Sequence, residues 1–422
     1  MMSTKQLKIL CCNYRYFITG GPERYLFSLA EVLKNNGHQL IPFSVKYEQN
    51  VPTPFSKYFV NPPGDGTQVT YKDLQLSFWQ KAKFALNSIY SFEALNKIKR
   101  VIENEKPDIA YLLELHNVIS PSVINGCAEL NLPIVMRLSE YHLMCPAYHF
   151  FRNNHICEEC RQGFYHAIKY SCLQNSRLVS TTKAIGSYYY KLKRIYDKVR
   201  VFITPSNFMR EKLIEFGFDG NKIIHIPTFI DVAQYNPGYD HQDYVLYFGR
   251  LTKEKGVWDL IKAVEPLSTK LFIIGNSTDG EDILLKEYVE KKRLDHIQFL
   301  GFKDGTELHE IIRGAMFTVC PSIWYENTPI SIYESLALGK PVIATNIGSL
   351  TEQVIDGENG LLFNYRDIED LREKIQYLAM NKHLLPQMGR CARQHIEKSF
   401  NSEVHYQKLI VVFNDLISNV AS

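Results

Sequence analysis

The sequence predicts an α/β protein of two domains, each built on a doubly wound parallel sheet. Three observations predict this fold class. Short apolar runs typical of buried strands alternate with amphipathic helical patterns. The alternation starts again after a stretch containing Pro and Gly near 226–240. A chain of 422 residues is also longer than a single hydrophobic core normally holds.

The first half repeats a strand–helix unit. An apolar run at 8–12 is followed by a loop containing Gly20 and Gly21, and then by a helical pattern from about 23 to 35. Further elements are predicted as a strand at 39–44, a helix at 91–104, a strand at 107–113, a helix near 120–130 and a strand at 132–137. Strands that alternate with helices favour parallel pairing, since the helices supply the crossovers.

The second half shows the same alternation. Its strands are predicted at 244–249, 271–275, 297–301, 317–320 and 341–345, and a final helix is predicted over about 402–419. We therefore predict a first domain over 1–225 with an insert at about 142–175, a linker over 226–240, and a second domain over 241–399. The C-terminal helix, at about 400–422, is expected to complete the first domain.

Charge and composition exclude several classes of protein. Net charge is +3 and the isoelectric point is about 8.2, so charge gives no support for a nucleic-acid partner. No apolar run reaches the roughly 18 residues that cross a bilayer, and the N-terminus lacks the apolar core of a signal peptide. We expect a cytoplasmic protein, in which the nine cysteines are thiols or metal ligands rather than disulfides.

The segment 320–339 is the most informative part of the chain. Two carboxylates, Glu326 and Glu334, flank a predicted helix start with Thr328 as N-cap and Pro329 as first helical residue, and Gly339 follows the helix. Glu334 would lie about two turns inside this helix. A helix N-terminus suits a phosphate, and carboxylates accept hydrogen bonds from sugar hydroxyls. A nucleotide-sugar offers both groups.

The run from Glu326-x7-Glu334 through Leu-Ala-Leu-Gly-Lys-Pro-Val-Ile-Ala-Thr to Gly360-Leu-Leu-Phe363 resembles the signature of retaining glycosyltransferases of family 4, which have the GT-B fold. The resemblance implies two Rossmann-like domains facing across a cleft, with the last helix crossing back to the first domain. It implies transfer of a sugar from a UDP-, GDP- or ADP-sugar to a hydroxyl of a glycan or lipid-linked acceptor. Cell-surface polysaccharide biosynthesis is the expected setting.

The resemblance also assigns roles to donor-site residues. Arg250 and Lys255, five apart after the strand at 244–249, would bind the donor diphosphate. Glu326 would contact hydroxyls of the transferred sugar, and Glu334 the ribose diol. Where many relatives have Phe-Gly after the first Glu, this chain has Asn-Thr. The backbone N–H groups expected near the phosphates are those of Asn327, Thr328 and Ile330, because Pro329 has none.

On the first domain, Gly20 and Gly21 match the family's glycine loop, which would cap the diphosphate from across the cleft. His116, after the strand at 107–113, matches a family histidine that contacts the donor sugar; a structural polar residue is the alternative. Whether Glu140 or His142 reaches the acceptor stays open. The predicted catalytic set is His116, Arg250, Lys255 and Glu326.

Catalysis in this family needs no metal, and no Asp-x-Asp motif stands in a suitable place. A cysteine cluster nevertheless marks the insert. The pair Cys157-x2-Cys160 has the spacing of a zinc knuckle, and Cys145 and Cys172 could complete a site of four thiolate ligands. We predict a structural zinc; unrelated free thiols in a loop are the alternative.

Two stretches of the first domain, 78–100 and 183–194, mix aromatic residues with cations. They predict either a contact with an anionic membrane at its inner face or packed helices with solvated basic sides. For the whole chain, the alternatives to a glycosyltransferase are a sugar synthase or phosphorylase of the same fold, and a nucleotide-sugar binding protein without catalysis. No nucleic-acid partner is expected.

Overall fold

The computed structural model describes residues 6–64, 66–67, 77–277 and 279–421. Strands and helices alternate along nearly all of this length, and the strands form two six-stranded sheets that are parallel throughout. The predicted fold class is therefore confirmed. In the part of the chain that the structure describes, no helix is both long and apolar enough to cross a bilayer.

The first sheet has the strand order β2-β1-β3-β4-β7-β8. Its strands are short and mostly buried, as expected where helices cover both faces. They are β1 (Lys8–Asn13), β2 (Gln39–Phe43), β3 (Ile109–Glu114), β4 (Ile134–Arg137), β7 (Val201–Thr204) and β8 (Ile223–His225). Between β4 and β7 the insert forms a small antiparallel hairpin of β5 (Phe151–Arg152) and β6 (His155–Ile156).

Seven helices accompany this sheet within the described residues. They are α1 (Gly21–Asn35), α2 (Phe78–Ile89), α3 (Phe92–Glu105), α4 (Ser122–Glu129), α5 (Tyr165–Lys169), α6 (Arg177–Leu192) and α7 (Asn207–Glu215). Short 3-10 turns join several of them. Serine side chains cap the N-termini of α2, α3, α6 and α7, which satisfies backbone N–H groups that have no partner inside the helix.

The second sheet has the order β11-β10-β9-β12-β13-β14. Its strands are β9 (Tyr244–Phe248), β10 (Lys270–Ile274), β11 (Ile297–Gly301), β12 (Phe317–Cys320), β13 (Val342–Thr345) and β14 (Gly360–Phe363). The helices are α8 (Val257–Val264), α9 (Glu281–Lys292), α10 (Gly305–Gly314), α11 (Ile330–Ala337), α12 (Leu350–Gln353), α13 (Ile368–Met380) and α14 (Leu385–Ser399). In both sheets the chain order reverses beside the first strand of the domain, where open α/β sheets bind ligands.

The last helix, α15 (Ser402–Ala421), returns to the first sheet as predicted. Tyr406 and Phe413 are buried in one apolar cluster with Ile9 of β1. Two side-chain contacts fix the crossing: the Tyr25 hydroxyl lies 2.9 Å from Nε2 of His405, and the Tyr406 hydroxyl 2.9 Å from Nε2 of His38. The return of α15 therefore attaches the end of the chain, which follows the second domain, to the first domain.

Candidate active site

The informative segment forms a loop and a helix at the carboxyl edge of the second sheet, but the helix starts later than predicted. Pro329, in extended conformation, is the N-cap residue, and α11 begins at Ile330. Thr328 was the predicted N-cap; its hydroxyl instead donates a 2.7 Å hydrogen bond to the carbonyl of Asn327. Glu334 lies about one turn inside α11, where about two turns were predicted, and the later helix start accounts for only one residue of this difference. Gly339 follows the helix with φ +75°, as predicted for that position.

The loop before α11 is held by contacts to its backbone. The carbonyl of Glu326 accepts hydrogen bonds from the Ser349 hydroxyl at 2.7 Å and from the Tyr141 hydroxyl at 3.2 Å. Tyr141 belongs to the first domain, and Asn327 donates in return to the Leu138 carbonyl at 3.4 Å. The first domain therefore helps to fix the conformation that displaces the helix start.

The buried Glu326 and the half-buried Lys255 form an ion pair. The Lys255 Nζ atom lies 2.6 Å from Glu326 Oε1, which also accepts a 2.6 Å hydrogen bond from the Ser322 hydroxyl. Burial by itself would raise the pKa of Glu326, but the charge of Lys255 and these hydrogen bonds outweigh it and hold the pKa below its ordinary value. Glu326 is thus an ionised acceptor at neutral pH, beside a cation that can bind a phosphate.

The loop that carries Lys255 packs tightly against the loop that carries Glu326. Gly256 adopts φ +68°, and a Cβ placed there would lie 1.8 Å from the Pro321 carbonyl oxygen. The Ile323 N–H group donates to the Glu254 carbonyl at 2.9 Å, which joins the two loops directly. Only glycine permits this approach, so Gly256 positions the preceding lysine.

Glu334 is the second buried carboxylate. Its Oε1 accepts a 3.5 Å hydrogen bond from the Tyr235 hydroxyl. Burial raises the pKa of Glu334 to about 7, against the opposing effects of the Arg24 charge and the Tyr235 hydroxyl. The carboxylate is therefore poorly compensated without a ligand, and hydroxyl donors from a ligand would stabilise its charged form.

Two predicted donor-site elements face this region from opposite sides. Arg250 is largely exposed, with Nη2 3.8 Å from Glu254 Oε1, so its guanidinium can turn towards a ligand. Gly21 begins α1 of the first domain, and a Cβ there would lie 3.9 Å from Cγ1 of Ile330. Gly20 precedes it. The structure thus brings the glycine loop to the start of α11, across the junction of the two domains.

The histidine predicted on the first domain lies in a charged cluster. Glu140 follows β4 and lies between two histidines, with Oε1 3.1 Å from His116 Nε2 and 3.4 Å from His142 Nδ1. Burial disfavours the charge on each group, but mutual attraction outweighs it: the pKa of Glu140 is lowered and that of His116 is raised. Glu140 therefore favours the charged form of His116 and lies against both rings.

A chain of aromatic contacts connects this cluster to the ion pair. His116 packs against Tyr148, Tyr148 against His149, and His149 against Trp324, with ring centroids 6.1, 6.0 and 6.3 Å apart. The Lys255 Nζ atom lies 5.6 Å from the centroid of the Trp324 ring. The first-domain cluster and the second-domain carboxylate thus line one continuous region.

A cavity of about 720 Å³ opens on the first-domain side of this region. His116 and His142 lie on its wall. The lining is basic and aromatic, including Arg161, Phe164, Lys183, Tyr188, Lys191 and Lys222. Aromatic faces suit sugar rings and cations suit anionic groups, so the cavity can hold a polar ligand beside His116.

The four insert cysteines are gathered but do not form a ready metal site. In the described ranges, no three His, Cys, Asp or Glu side chains are placed to hold one ion. All four thiols are free. A hydrogen bond from Cys160 lowers the pKa of Cys145 to about 7 against the effect of burial, and backbone N–H groups of Ala147, His149 and Phe150 contribute. The hydrogen bond with Cys145 and burial raise the pKa of Cys160, and the charges of Cys145, Cys172 and Cys157 add to this effect. The arrangement does not by itself make a metal centre, and the structural zinc stays a prediction.

Sequence reasoning missed several residues that build the site. Ser322 lies inside the informative segment, and its hydroxyl four positions before Glu326 was a usable signal. Tyr235, in the predicted linker, carried no local signal, and Lys183, in α6, was noted only as part of a basic stretch. Only the fold places them near Glu334 and Glu140. Glu140 and His142 were noted without a role, and the structure places both beside His116.

Two parallel-sheet domains, with carboxylates and cations where they meet, are the arrangement expected for the GT-B fold. Residues 19–234 match the model of the family described as Glycosyltransferase Family 4, and residues 233–395 match that of Glycosyl transferases group 1. The chain belongs to glycosyltransferase family 4.

Individual relatives agree with this assignment. An uncharacterised glycosyltransferase of Methanocaldococcus jannaschii is 36% identical over 162 residues, which cover 38% of this chain and 45% of the relative. A glycogen synthase of Mycobacterium tuberculosis is 33% identical over 210 residues, covering 47% and 50%. The chain thus matches about half the length of these curated relatives.

Solved structures share the fold over the whole chain. The sucrose-phosphate synthase of Thermosynechococcus elongatus superposes with a TM-score of 0.72 at 18% identity, covering 98% of this chain and 100% of that one. HepE of Anabaena, solved in complex with UDP and glucose, gives 0.61 at 15% identity and covers 99% of both chains.

Proposed function

We propose that this protein transfers a sugar, with retention of anomeric configuration, from a nucleotide-sugar to a hydroxyl of a glycan or lipid-linked acceptor. The Lys255–Glu326 pair at the start of α11 carries the proposal. It combines a phosphate-binding cation with an ionised acceptor for sugar hydroxyls. Polysaccharide assembly is the proposed setting, supported by the glycogen synthase among the relatives.

The donor would lie between the two domains. Arg250 and Lys255 bind its diphosphate, and the N-terminus of α11 adds the partial positive charge of the helix dipole. Gly20 and Gly21 let the backbone of the first domain approach from the other side. UDP is the first nucleotide to test, because HepE was solved with UDP and glucose.

The two buried carboxylates would select the remaining parts of the donor. Glu326 is ionised and accepts hydrogen bonds from hydroxyls of the transferred sugar. Glu334 accepts from the ribose diol, which stabilises its charged form. Loss of either carboxylate should weaken binding of the nucleotide-sugar. Only loss of Glu334 should also weaken binding of the free nucleotide.

The acceptor would enter the cavity beside His116. Its hydroxyl attacks the anomeric carbon from the face that the diphosphate leaves: the bond from carbon to phosphate oxygen breaks, and the bond to the acceptor oxygen forms. The acceptor proton passes to a donor phosphate oxygen, and a nucleoside diphosphate departs. No carboxylate acts as a nucleophile, in contrast to retaining hydrolases with two carboxyl groups about 5 Å apart. Catalysis comes from positioning and from cations that stabilise the leaving group.

A ligand panel followed by product analysis tests this function. Purified protein is screened by thermal shift against UDP, GDP, ADP and their common sugars, and the donor that binds is then incubated with candidate acceptors. We expect NMR to show the anomeric configuration of the donor in the product. Inversion would refute retention. Phosphorolysis of a glycan would instead indicate a phosphorylase.

Variants of one loop separate an enzyme from a binding protein. Arg250→Ala and Lys255→Gln should lower kcat/KM by about 100-fold or more, because each removes a charge from the leaving group. Lys253→Gln removes an exposed cation from the same turn and is the matched control. Full activity in Arg250→Ala would overturn the site, and donor binding without turnover in the wild type would indicate a non-catalytic protein.

A further inference from the structure

Helix α6 exposes a stripe of large apolar side chains. Leu178, Ile185 and Leu192 follow one another at intervals of seven residues and are 78%, 51% and 80% exposed. Seven residues are close to two helical turns, so the three side chains lie on one side of α6. A row of apolar side chains on the solvent-exposed surface of a protein marks a contact with another molecule or with a membrane.

The neighbouring helix α2 repeats the pattern. Trp79 and Leu86, again seven residues apart, are 79% and 68% exposed. The two helices pack together near Tyr190, whose hydroxyl donates to the Ile89 carbonyl at 2.9 Å and to the Ser88 carbonyl at 3.1 Å. Five large apolar side chains are thus exposed on one pair of packed helices.

The charges of this helix pair all have one sign. Neither α2 nor α6 contains Asp or Glu, although the chain has 45 acidic residues. Exposed cations accompany the apolar stripes, namely Lys81 and Lys83 in α2, Arg177 and Lys191 in α6, and Lys193 directly after it. Arg194 follows, but it forms an ion pair with Asp197. Such a surface complements negatively charged phosphate groups.

We propose that α2 and α6 form a docking surface for membranes that contain anionic phospholipids. The apolar stripes would enter the boundary between headgroups and acyl chains, and the flanking cations would meet lipid phosphates. Other residues of α6, including Thr182, Lys183 and Gly186, line the cavity beside His116. Docking would therefore hold one wall of this cavity near the membrane surface, on the helix that makes the contact. The inference goes beyond the proposed function, and membrane binding can be measured without donor or acceptor.

Vesicle binding by the full chain tests the proposal. The protein is mixed with phosphatidylcholine vesicles, with or without phosphatidylglycerol, and bound protein is measured by flotation. We expect binding to the anionic vesicles that weakens as salt is raised, because screening removes the electrostatic part. Replacing the stripe by Leu178→Ser, Ile185→Ser and Leu192→Ser should lower the partition coefficient at least about tenfold.

Two further variants control for composition and folding. Ile283, Leu284 and Met380 are comparably exposed on the second domain, so their joint change to serine should leave binding unchanged. Arg177→Glu with Lys193→Glu should weaken binding to anionic vesicles while melting and circular dichroism stay as in the wild type. Neither cation lines the cavity.

Three results would overturn the proposal. One is a wild-type chain that binds neither vesicle type. Another is a stripe variant that binds as well as the second-domain control. The third is a wild-type dimer in light scattering that the stripe variant loses, without vesicle binding, since the stripe would then be a contact between copies of the chain.

Discussion

Glu334→Gln should make the protein more stable while weakening its donor binding. Glu334 is buried near the start of α11, and its pKa is raised from 4.5 to about 7, mainly because burial disfavours the charge. The folded protein therefore holds the proton more tightly than the unfolded chain does. It follows that the contribution of Glu334 to stability becomes less favourable as pH rises from about 4.5 to 7 and is constant above.

The size of the effect follows from this shift. A change from 4.5 to about 7 corresponds to roughly 3 kcal/mol of destabilisation at pH 8, where the group is charged in both states. At pH 5 the same carboxyl group costs less than about 1 kcal/mol, because the folded form is still protonated. A neutral glutamine of the same shape removes this cost, so the gain in stability should appear at pH 8 and nearly vanish at pH 5.

Denaturant unfolding at both pH values measures the gain, and UDP titration by thermal shift measures the loss of binding. We expect nucleotide affinity to fall about tenfold, because a neutral amide accepts weaker hydrogen bonds from a diol than a carboxylate does. Glu290→Gln, an exposed change in α9, is the control and should alter neither quantity. A Glu334→Gln protein that is less stable than wild type at pH 8 would refute the reasoning.

Three further predictions concern the surroundings of the site. Gly256→Ala should destabilise the protein by about 2 kcal/mol or more in denaturant unfolding, because a Cβ there would meet a backbone carbonyl oxygen at 1.8 Å; a neutral effect would contradict the loop geometry. Glu140→Gln should lower the pKa of His116 in an NMR titration, since the Glu140 carboxylate, more than Glu114, raises it against the effect of burial; an unchanged pKa would contradict this. Elemental analysis should find one zinc ion per chain, lost in Cys157→Ser with Cys160→Ser, and zinc-free wild-type protein would remove the metal prediction.

Most strands of both sheets could be predicted from the sequence because each is a short apolar run bounded by turn residues; β7, β8 and β14 were not predicted as strands. The strand at 297–301 matches its prediction, and most other boundaries differ by one or two residues. The prediction that α15 crosses to the first domain came from the family resemblance. In the structure, burial of Tyr406 and Phe413 in the apolar cluster of the first domain holds α15 there. Apolar pattern and periodicity were sufficient to predict an element whose own residues form the buried face.

The start of α11 could not be predicted in the same way. Thr328 and Pro329 form a good local N-cap and first residue, yet the helix begins one residue later. The reason lies outside the segment: Ser349 and Tyr141 both donate to the Glu326 carbonyl and fix the preceding loop. The same holds for the cluster around Glu140, since residues after β3 and β4 meet only when these strands pair.

One helix connects the proposed acceptor site with the proposed membrane surface. α6 has 16 residues, which makes it about 24 Å long and about 10 Å across with its side chains. Thr182 and Lys183 on the cavity wall fall between Leu178 and Ile185 of the exposed stripe. A hydroxyl presented by a membrane-bound lipid would therefore need to rise only about one helix diameter to reach the wall of the cavity. A free glycan gains nothing from this arrangement, so docking through α6 favours a lipid-linked acceptor over a soluble one.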